Sequence, residues 1–341
     1  MTMTRTVLAS CAALLCFVAV ASGFFLVIGQ PPLPMLGNMA LYAFGDLYSL
    51  SETLVKATPI LLCALAIIVP ARLGLVSVGA DGQLYFGALI GTAAMLAGAH
   101  APGWWLLPAT LLAAAAGGAA WSAAAGVLKT RFGVHETIST LLLNFIGLLL
   151  VNHFVFGAWR DPANLGWPST IAFPDQAKVA SLFGTRVHAG LLLALAGAVL
   201  GHLWLVRSRK GIELDVLREN RKVGEMVGLS YSRNVLLTMG IGGAIAGFAG
   251  ICEASAIQGR LQPGLSAGYG LTGFLVAWLS GHRFLWAVPI SILIGGLITA
   301  GDALQLFAKV PASSAIILQG LLFATALAIA ALARRWNMRN G

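Results

Sequence analysis

Residues 209–233 read RKGIELDVLRENRKVGEMVGLSYSR, and the runs on either side, 187–206 and 235–257, are almost free of charge. With Arg207, this stretch holds eleven of the 33 charged residues of a 341-residue chain that is only 10% charged. A charge at the centre of a bilayer costs several kcal/mol. Each flank has the ~20 apolar residues that cross a hydrocarbon core about 30 Å thick. The island therefore reads as a water-exposed segment joining two membrane helices.

The rest of the chain repeats the flanks. It is 58% hydrophobic, contains 41 glycines and has a mean hydropathy of +0.87. Soluble domains are about 25% charged. Ten runs are long enough to span: roughly 6–29, 53–71, 82–99, 104–128, 137–158, 187–206, 235–257, 266–281, 284–303 and 313–333. The fold class is an all-α polytopic membrane protein of about ten transmembrane helices, a single transmembrane domain over 1–341. The run at 266–281 is short and glycine-rich, and reads as broken or re-entrant near 259–281. Membranes tolerate such backbone only where protein or a cavity surrounds it. The apolar run at the N-terminus resembles a signal peptide, and "LASC" at 8–11 imitates a lipoprotein cleavage box. Most of that run follows Cys11, where a signal would have ended, so it reads as the first span.

Lysine and arginine set the orientation. With the N-terminus in the cytoplasm, 15 of them lie inside, among them Arg72, Lys129, Arg131 and seven in and beside the island. Six lie outside: Lys56, Arg160, Lys178, Arg186, Arg260 and Lys309. Both termini and the island (207–234) are then cytoplasmic. The external segments are 30–52, whose second half reads as a short interfacial helix with Ser51 as N-cap, and the proline-containing loop 159–186. The net charge of +9 is a topology signal of this kind. No basic patch interleaved with aromatics points to nucleic acid.

Several chemistries find no support. Cys11, Cys16, Cys63 and Cys252 sit in apolar runs without CxxC spacing. "HETIST" at 135–140 lacks the second histidine of HExxH, so no metal site follows, and no nucleophile–base cluster suggests catalytic residues. The sequence has no GxxxxGK[ST], so ATP, if it drives this protein, binds another chain and this one carries no cofactor.

The polar residues that remain each admit two readings. The island mixes both charge signs with Val216, Leu217, Val223, Met226 and Val227 at helical spacing. It serves as a coupling element for a partner, or only as a solvated topology loop. Asp81 and Gln83 open the third span as a helix-end acid or as part of a gate. Glu136 opens the fifth span as a cap or pairing acid, or as a path candidate. Gly243 and Gly247 form GxxxG, with Gly250 extending a small face for helix packing. Glu253 and Asp302, with Gln305 one turn on, are acids within or near spans. They line a polar path or cap at the interface. Asn144 and Gln258 complete the path candidates. "SVGADGQLYFGALIG" from Ser77 and "SAGYGLTGFLVAWLSG" from Ser266 echo each other five spans apart. An inverted five-helix repeat fits that offset, and so does chance similarity of Gly- and Ser-rich helices.

Five stretches in order, "GLVSVGADGQLYFGAL", "ETISTLLLNFIGLLLVN", "GIELDVLRENRKVGEMVGL", "GAIAGFAGICEASAIQGRLQPGLSAGYGLTGFLVAWL" and "GDALQ", span 74–305. Together they resemble the permease subunits of bacterial ABC importers in the branched-chain amino acid, ribose and nucleoside superfamily, in the nucleoside and simple-sugar branch. Departures exist. The family's "FNIGAEGQ" is "VSVGADGQ" here, His135 replaces an asparagine, and the island is shorter than the family's "LRAVGENPEAARYAGI".

The resemblance implies an inner-membrane transport subunit without enzymatic activity of its own. Its island would dock on an ABC ATPase through Arg218, Glu219, Asn220, Lys222, Gly224, Glu225 and Gly228. The implied partners are that ATPase, a second and related permease chain, and an external substrate-binding protein, with lipid around them. The implied cargo is a nucleoside or nucleobase, with a simple sugar as runner-up. An ion-coupled secondary transporter using Glu253 and Asp302 is the competing class.

Overall fold

The computed structural model describes residues 3–99, 102–164, 166–182, 184–307, 310–311 and 313–339. Lys309, counted above on the outer side, and His100 lie outside them. The described residues form thirteen α-helices and no extended sheet. In order they are α1 (Met3–Val27), α2 (Pro32–Phe44), α3 (Leu47–Ala71), α4 (Ala80–Ala97), α5 (Gly103–Phe132), α6 (Glu136–Phe156) and α7 (Gly190–Val206). Then come α8 (Arg209–Glu219), α9 (Arg221–Met226), α10 (Tyr231–Cys252), α11 (Tyr269–Leu279), α12 (Phe284–Phe307) and α13 (Ser313–Arg339). A π-helical turn, Glu253–Gln258, continues α10.

Five helical segments are long and apolar enough to cross a membrane: Leu47–Ala71, Trp104–Phe132, Glu136–Phe156, Tyr231–Gln258 and Phe284–Phe307. Two bent pairs raise the number to seven if each is one span. Leu14–Val27 with Pro32–Phe44 bends by 117°, and α7 with α8 by 66°. The protein is thus an all-α, multi-pass membrane protein.

Two compact units divide the chain, with boundaries inside α3 and α12. The first comprises Met1–Ala57 and Ile292–Gly341. Here α1 packs on α2 and α13, Thr53 Oγ1 donates to the Ala43 carbonyl at 2.8 Å, and Lys56 pairs with Asp302. The start of α3 differs from the sequence reading. Asp46, not Ser51, caps it, accepting from the Ser49 N–H at 2.6 Å. Ser51 lies inside the helix, its hydroxyl turned back to the Tyr48 carbonyl. A carboxylate placed three residues before a free N–H satisfies an orphan donor of the first turn.

The second unit, Thr58–Ser291, is built on α4, α5 and α10 packed together, with α6 along α4. Glycine makes the closeness of α5 and α10 feasible. A Cβ on Gly247 would stand 2.4 Å from the Ala114 carbonyl oxygen, and one on Gly243 would stand 2.2 Å from that of Gly118. Local signals set the helix ends on the island side. α5 stops at Gly133 in the left-handed region (φ 69°), with N–H groups of Gly133 and Val134 returned to Lys129 and Leu128. Ser208, Asn220 and Ser230 cap α8, α9 and α10 through their side chains.

Candidate functional site

The island folds as two short helices of opposite character. α8 is anchored: Gly211, Leu214 and Leu217 are buried, and Asp215 accepts from Arg72 at 2.7 Å. The Arg218 stem covers Gly74, where a Cβ would stand 3.1 Å from Arg218 Cγ. α9 and the residue that ends it turn their apolar side chains outward. Val223 is 48% exposed, Met226 84% and Val227 67%. Gly224 faces inward, and a Cβ there would stand 2.5 Å from Leu217 Cδ2, so this glycine lets α9 fold against α8. Glu225 pairs with Arg221 at 2.8 Å and Glu219 with Arg218 at 3.2 Å. Asn220 caps α9, Lys222 is exposed, and Gly228 ends the turn with φ 86°. The Arg221 guanidinium lies 4.5 Å over the Tyr231 ring, tying α9 to the start of α10.

From the α8 anchor the chain 72–82 runs alongside α6. Its backbone would lack partners in an apolar setting, and one face of α6 supplies them. Glu136 accepts from the Val76 N–H at 3.2 Å, and Thr137 Oγ1 donates to the Val76 carbonyl at 2.9 Å. Thr140 Oγ1 accepts from the Val78 N–H at 3.2 Å. Asn144 donates to the Val78 carbonyl at 2.8 Å and accepts from the Gly82 N–H at 2.7 Å. Glu136 also binds Lys129 at 2.5 Å. From Glu136 to Asn144 is about 12 Å along a helix, so α4 starts well inside the depth spanned by α6.

Asp81, one residue into that start, reaches α11. Its carboxylate accepts from Ser266 Oγ at 2.5 Å, from the Gly270 N–H at 2.8 Å and from the Leu271 N–H at 3.1 Å. Tyr85 Oη donates to the Ser266 carbonyl at 3.1 Å. Asp81 thus satisfies the first free donors of an eleven-residue helix, where the helix dipole also favours a negative charge. At about 16 Å, α11 is too short to cross a bilayer. The two halves of the sequence echo meet here. Ser77 and Ser266 each stand three residues before the first residue of a helix, Ala80 and Tyr269.

The other candidates fall nearby or apart. Gln83 is buried, donating to Ser122 Oγ at 3.1 Å. Glu253 is buried at the head of the π-helical turn, and Gln258, at its end, donates to the Leu265 carbonyl at 3.3 Å. Gly250 faces α4, where a Cβ would stand 2.1 Å from the Leu84 carbonyl oxygen. The loop 159–186 is fastened to this end of α10. Val179 N–H donates to Ser255 Oγ at 2.9 Å, Thr170 N–H to the Leu261 carbonyl at 2.9 Å and Phe173 N–H to the Gly259 carbonyl at 2.8 Å. Asp302 belongs to the first unit, is 57% exposed at its side chain and is paired with Lys56. Gln305 is exposed.

Asp81, Gln83, Glu136, Asn144, Glu253 and Gln258 thus belong to the second unit, and Asp302 and Gln305 to the first. The sequence reading overlooked Thr137, Thr140, Arg72 and Asp215. Thr140 offered a signal, since Glu136, Thr140 and Asn144 form one polar stripe at i, i+4, i+8 of an apolar helix. The Arg72–Asp215 pair joins residues 143 positions apart and left none.

A family described as "Branched-chain amino acid transport system / permease component" matches residues 49–327. The guanosine ABC transporter permease protein NupP of Bacillus subtilis is 32% identical over 74% of this chain and 74% of its own length. The glucose ABC transporter permease protein TsgB13 of Haloferax volcanii is 29% identical over 89% of this chain and 82% of its own. The nucleoside ABC transporter permease protein NupB of Lactococcus lactis is 26% identical over 86% and 82%. With most of its length matched, and with its likenesses among nucleoside and sugar ABC permeases, the chain belongs to the family of branched-chain amino acid transport system permease components.

Proposed function

We propose that this chain is the membrane-spanning subunit of an ATP-driven importer and forms the path for a nucleoside or nucleobase. The observation that carries the reading is the split character of the island. α8 is locked to the body by Leu214, Leu217 and Arg72–Asp215, while α9 offers Val223, Met226 and Val227 to a partner. A loop that served only topology has no use for an anchored, apolar-faced helix pair. An ABC ATPase chain docks there, binds the ATP, and moves α9. The motion passes through α8 and 72–82 to the joint of Asp81 with α11. Arg218, Glu219, Asn220, Lys222, Gly224, Glu225 and Gly228 shape the docking element. Charge complementarity around it sets register and partner choice.

The same reading carries the finer architecture: one transmembrane domain over 1–341 with about ten spans, in the bacterial inner membrane, both termini and 207–234 cytoplasmic, and 159–186 outside. The matched helix starts after Ser77 and Ser266 support an inverted five-helix repeat. Asp81, Gln83, Glu253 and Gln258 border the path, and Asp302 and Gln305 are its candidates in the other unit. Asn144 and Glu136 hold the chain beside it. A related second permease and an external binding protein complete the importer.

For the cargo, the guanosine and nucleoside permeases support a nucleoside. The glucose permease, matched over 89% of the chain, supports a sugar as the second reading. Uptake of labelled guanosine and of labelled glucose, in cells lacking the chain and in complemented cells, decides between them. Guanosine uptake lost with the chain and abolished by ATP depletion is the expected result. Glucose uptake lost in its place moves the cargo to sugars. Uptake that survives ATP depletion and collapses with a proton ionophore overturns the ATP-driven reading.

A further inference from the structure

The second unit carries an open groove of about 590 Å³ whose lining is almost wholly apolar. Val69 of α3, Gly197, Gly201 and Trp204 of α7, Ile241 of α10 and Phe284 of α12 frame it. Glycines make the floor. A Cβ on Gly201 would stand 2.6 Å from the Phe284 ring, and one on Gly197 would touch Leu65 at an ordinary 3.5 Å. The groove runs up to the island end of α7, where Trp204 sits less than a turn before Arg207. On α12, Phe284 directly follows Arg283. Both arginines are exposed. Among the described residues neither has an ion-pair partner, whereas the nearby acids of α8 are already engaged, Glu213 by Lys210 and Asp215 by Arg72.

An apolar channel between helices, with a tryptophan in its lining and an unpaired arginine within three residues of the lining on α7 and just before it at α12, has the chemistry of a lipid site. We propose that this groove binds one acyl chain of an anionic phospholipid, with its phosphate on Arg207 and Arg283. α8, which leaves α7 at 66°, runs from this mouth, so the bound lipid borders the anchored half of the island. A second copy of the chain fits less well. A two-fold interface is self-complementary, and here it would bring unpaired arginines together with no free acid between them.

The test is native mass spectrometry of the full chain, purified in detergent and titrated with dioleoyl phosphatidylglycerol or with dioleoyl phosphatidylcholine. Phosphatidylglycerol should be retained at least tenfold more strongly. Arg207→Gln and Arg283→Gln should each lower that retention about fivefold, and the pair should bring it to the phosphatidylcholine level. Gly197→Leu, which fills the groove, should abolish retention of both lipids. Gly197→Ala, whose methyl group meets only an ordinary contact, should retain them and serves as the folding control. Equal retention of the two lipids overturns the proposal, as does phosphatidylglycerol retention that ignores both the arginine and the Gly197→Leu substitutions. A dimer that Gly197→Leu dissociates while lipid retention stays constant also overturns it and makes the groove an interface between copies.

Discussion

The seam between α5 and α10 and the joint between Asp81 and α11 lie in the same unit but are made by opposite means. At the seam, Gly118, Gly243 and Gly247 bring backbone against backbone with no room for a methyl group. At the joint, a side chain from one element accepts two backbone N–H groups of another and the Ser266 hydroxyl just before it. Close packing of backbones resists displacement because every shift loses many dispersion contacts at once. Hydrogen bonds to a helix end are few, and each changes partner at small net cost where a replacement partner is at hand. The seam is therefore the rigid part of the unit, and the joint is the part that can change.

The largest effect is expected at the seam. Gly247→Leu forces its side chain into the Ala114 carbonyl and should destabilise the protein by about 3 kcal/mol or more. It should appear as loss of monodisperse protein after detergent extraction. A well-behaved Gly247→Leu protein would show that the seam yields. At the joint, Asp81→Ala leaves three donors without their acceptor and should cost about 1–3 kcal/mol, less than the seam substitution, yet lower the maximal uptake rate tenfold or more. Asp81→Glu, which keeps the charge, should recover much of that rate. Equal rates for the Ala and Glu variants would mean that the carboxylate does not hold α11. Smaller still is the link from Arg72, just past the end of α3, to Asp215 of α8. With one side chain about half exposed, a double-mutant cycle on thermal stability should return no more than about 1 kcal/mol. A coupling several times larger would place the island's anchor there in place of the buried leucines.

The smallest effect concerns the turn between α11 and α12. His282 sits at positive φ (57°) against Trp278. Burial, and then the charge of Arg218, hold its imidazole below the usual histidine value of 6.5. The unfolded chain takes up this proton first as pH falls, so the fold loses stability from about pH 7 downward and is unaffected above it. His282→Gln should remove that part of the acid sensitivity, measured as a thermal midpoint compared at pH 7.5 and 5.5. An unchanged pH slope would remove His282 from the account.

How far the sequence anticipated this depends on range. The charge island, its apolar flanks and the broken segment near 259–281 are local contrasts of composition, and they were legible. The Ser77 and Ser266 echo was legible as text, but not the fact that its two halves touch. That contact needs Asp81 and Gly270, 189 positions apart, to meet. The sequence offers Asp81 as an acid at its own helix's start or as part of a gate, and the structure turns it toward the start of another helix. Asn144 illustrates the same limit. As a polar residue in an apolar helix it suggests a path. Its amide bonds the backbone at Val78 and Gly82, a demand set by unpaired chain that no local pattern reveals.

The central claim is that α9 receives a driving partner and that α8 and 72–82 carry its motion to α11. The most direct measurement is ATP hydrolysis and guanosine uptake on the same membrane vesicles, with wild-type chain and with Met226→Asp, whose side chain is 84% exposed. The account predicts wild-type levels of inserted protein with both substrate-stimulated hydrolysis and uptake lost. Hydrolysis and uptake that persist undiminished in Met226→Asp would contradict it.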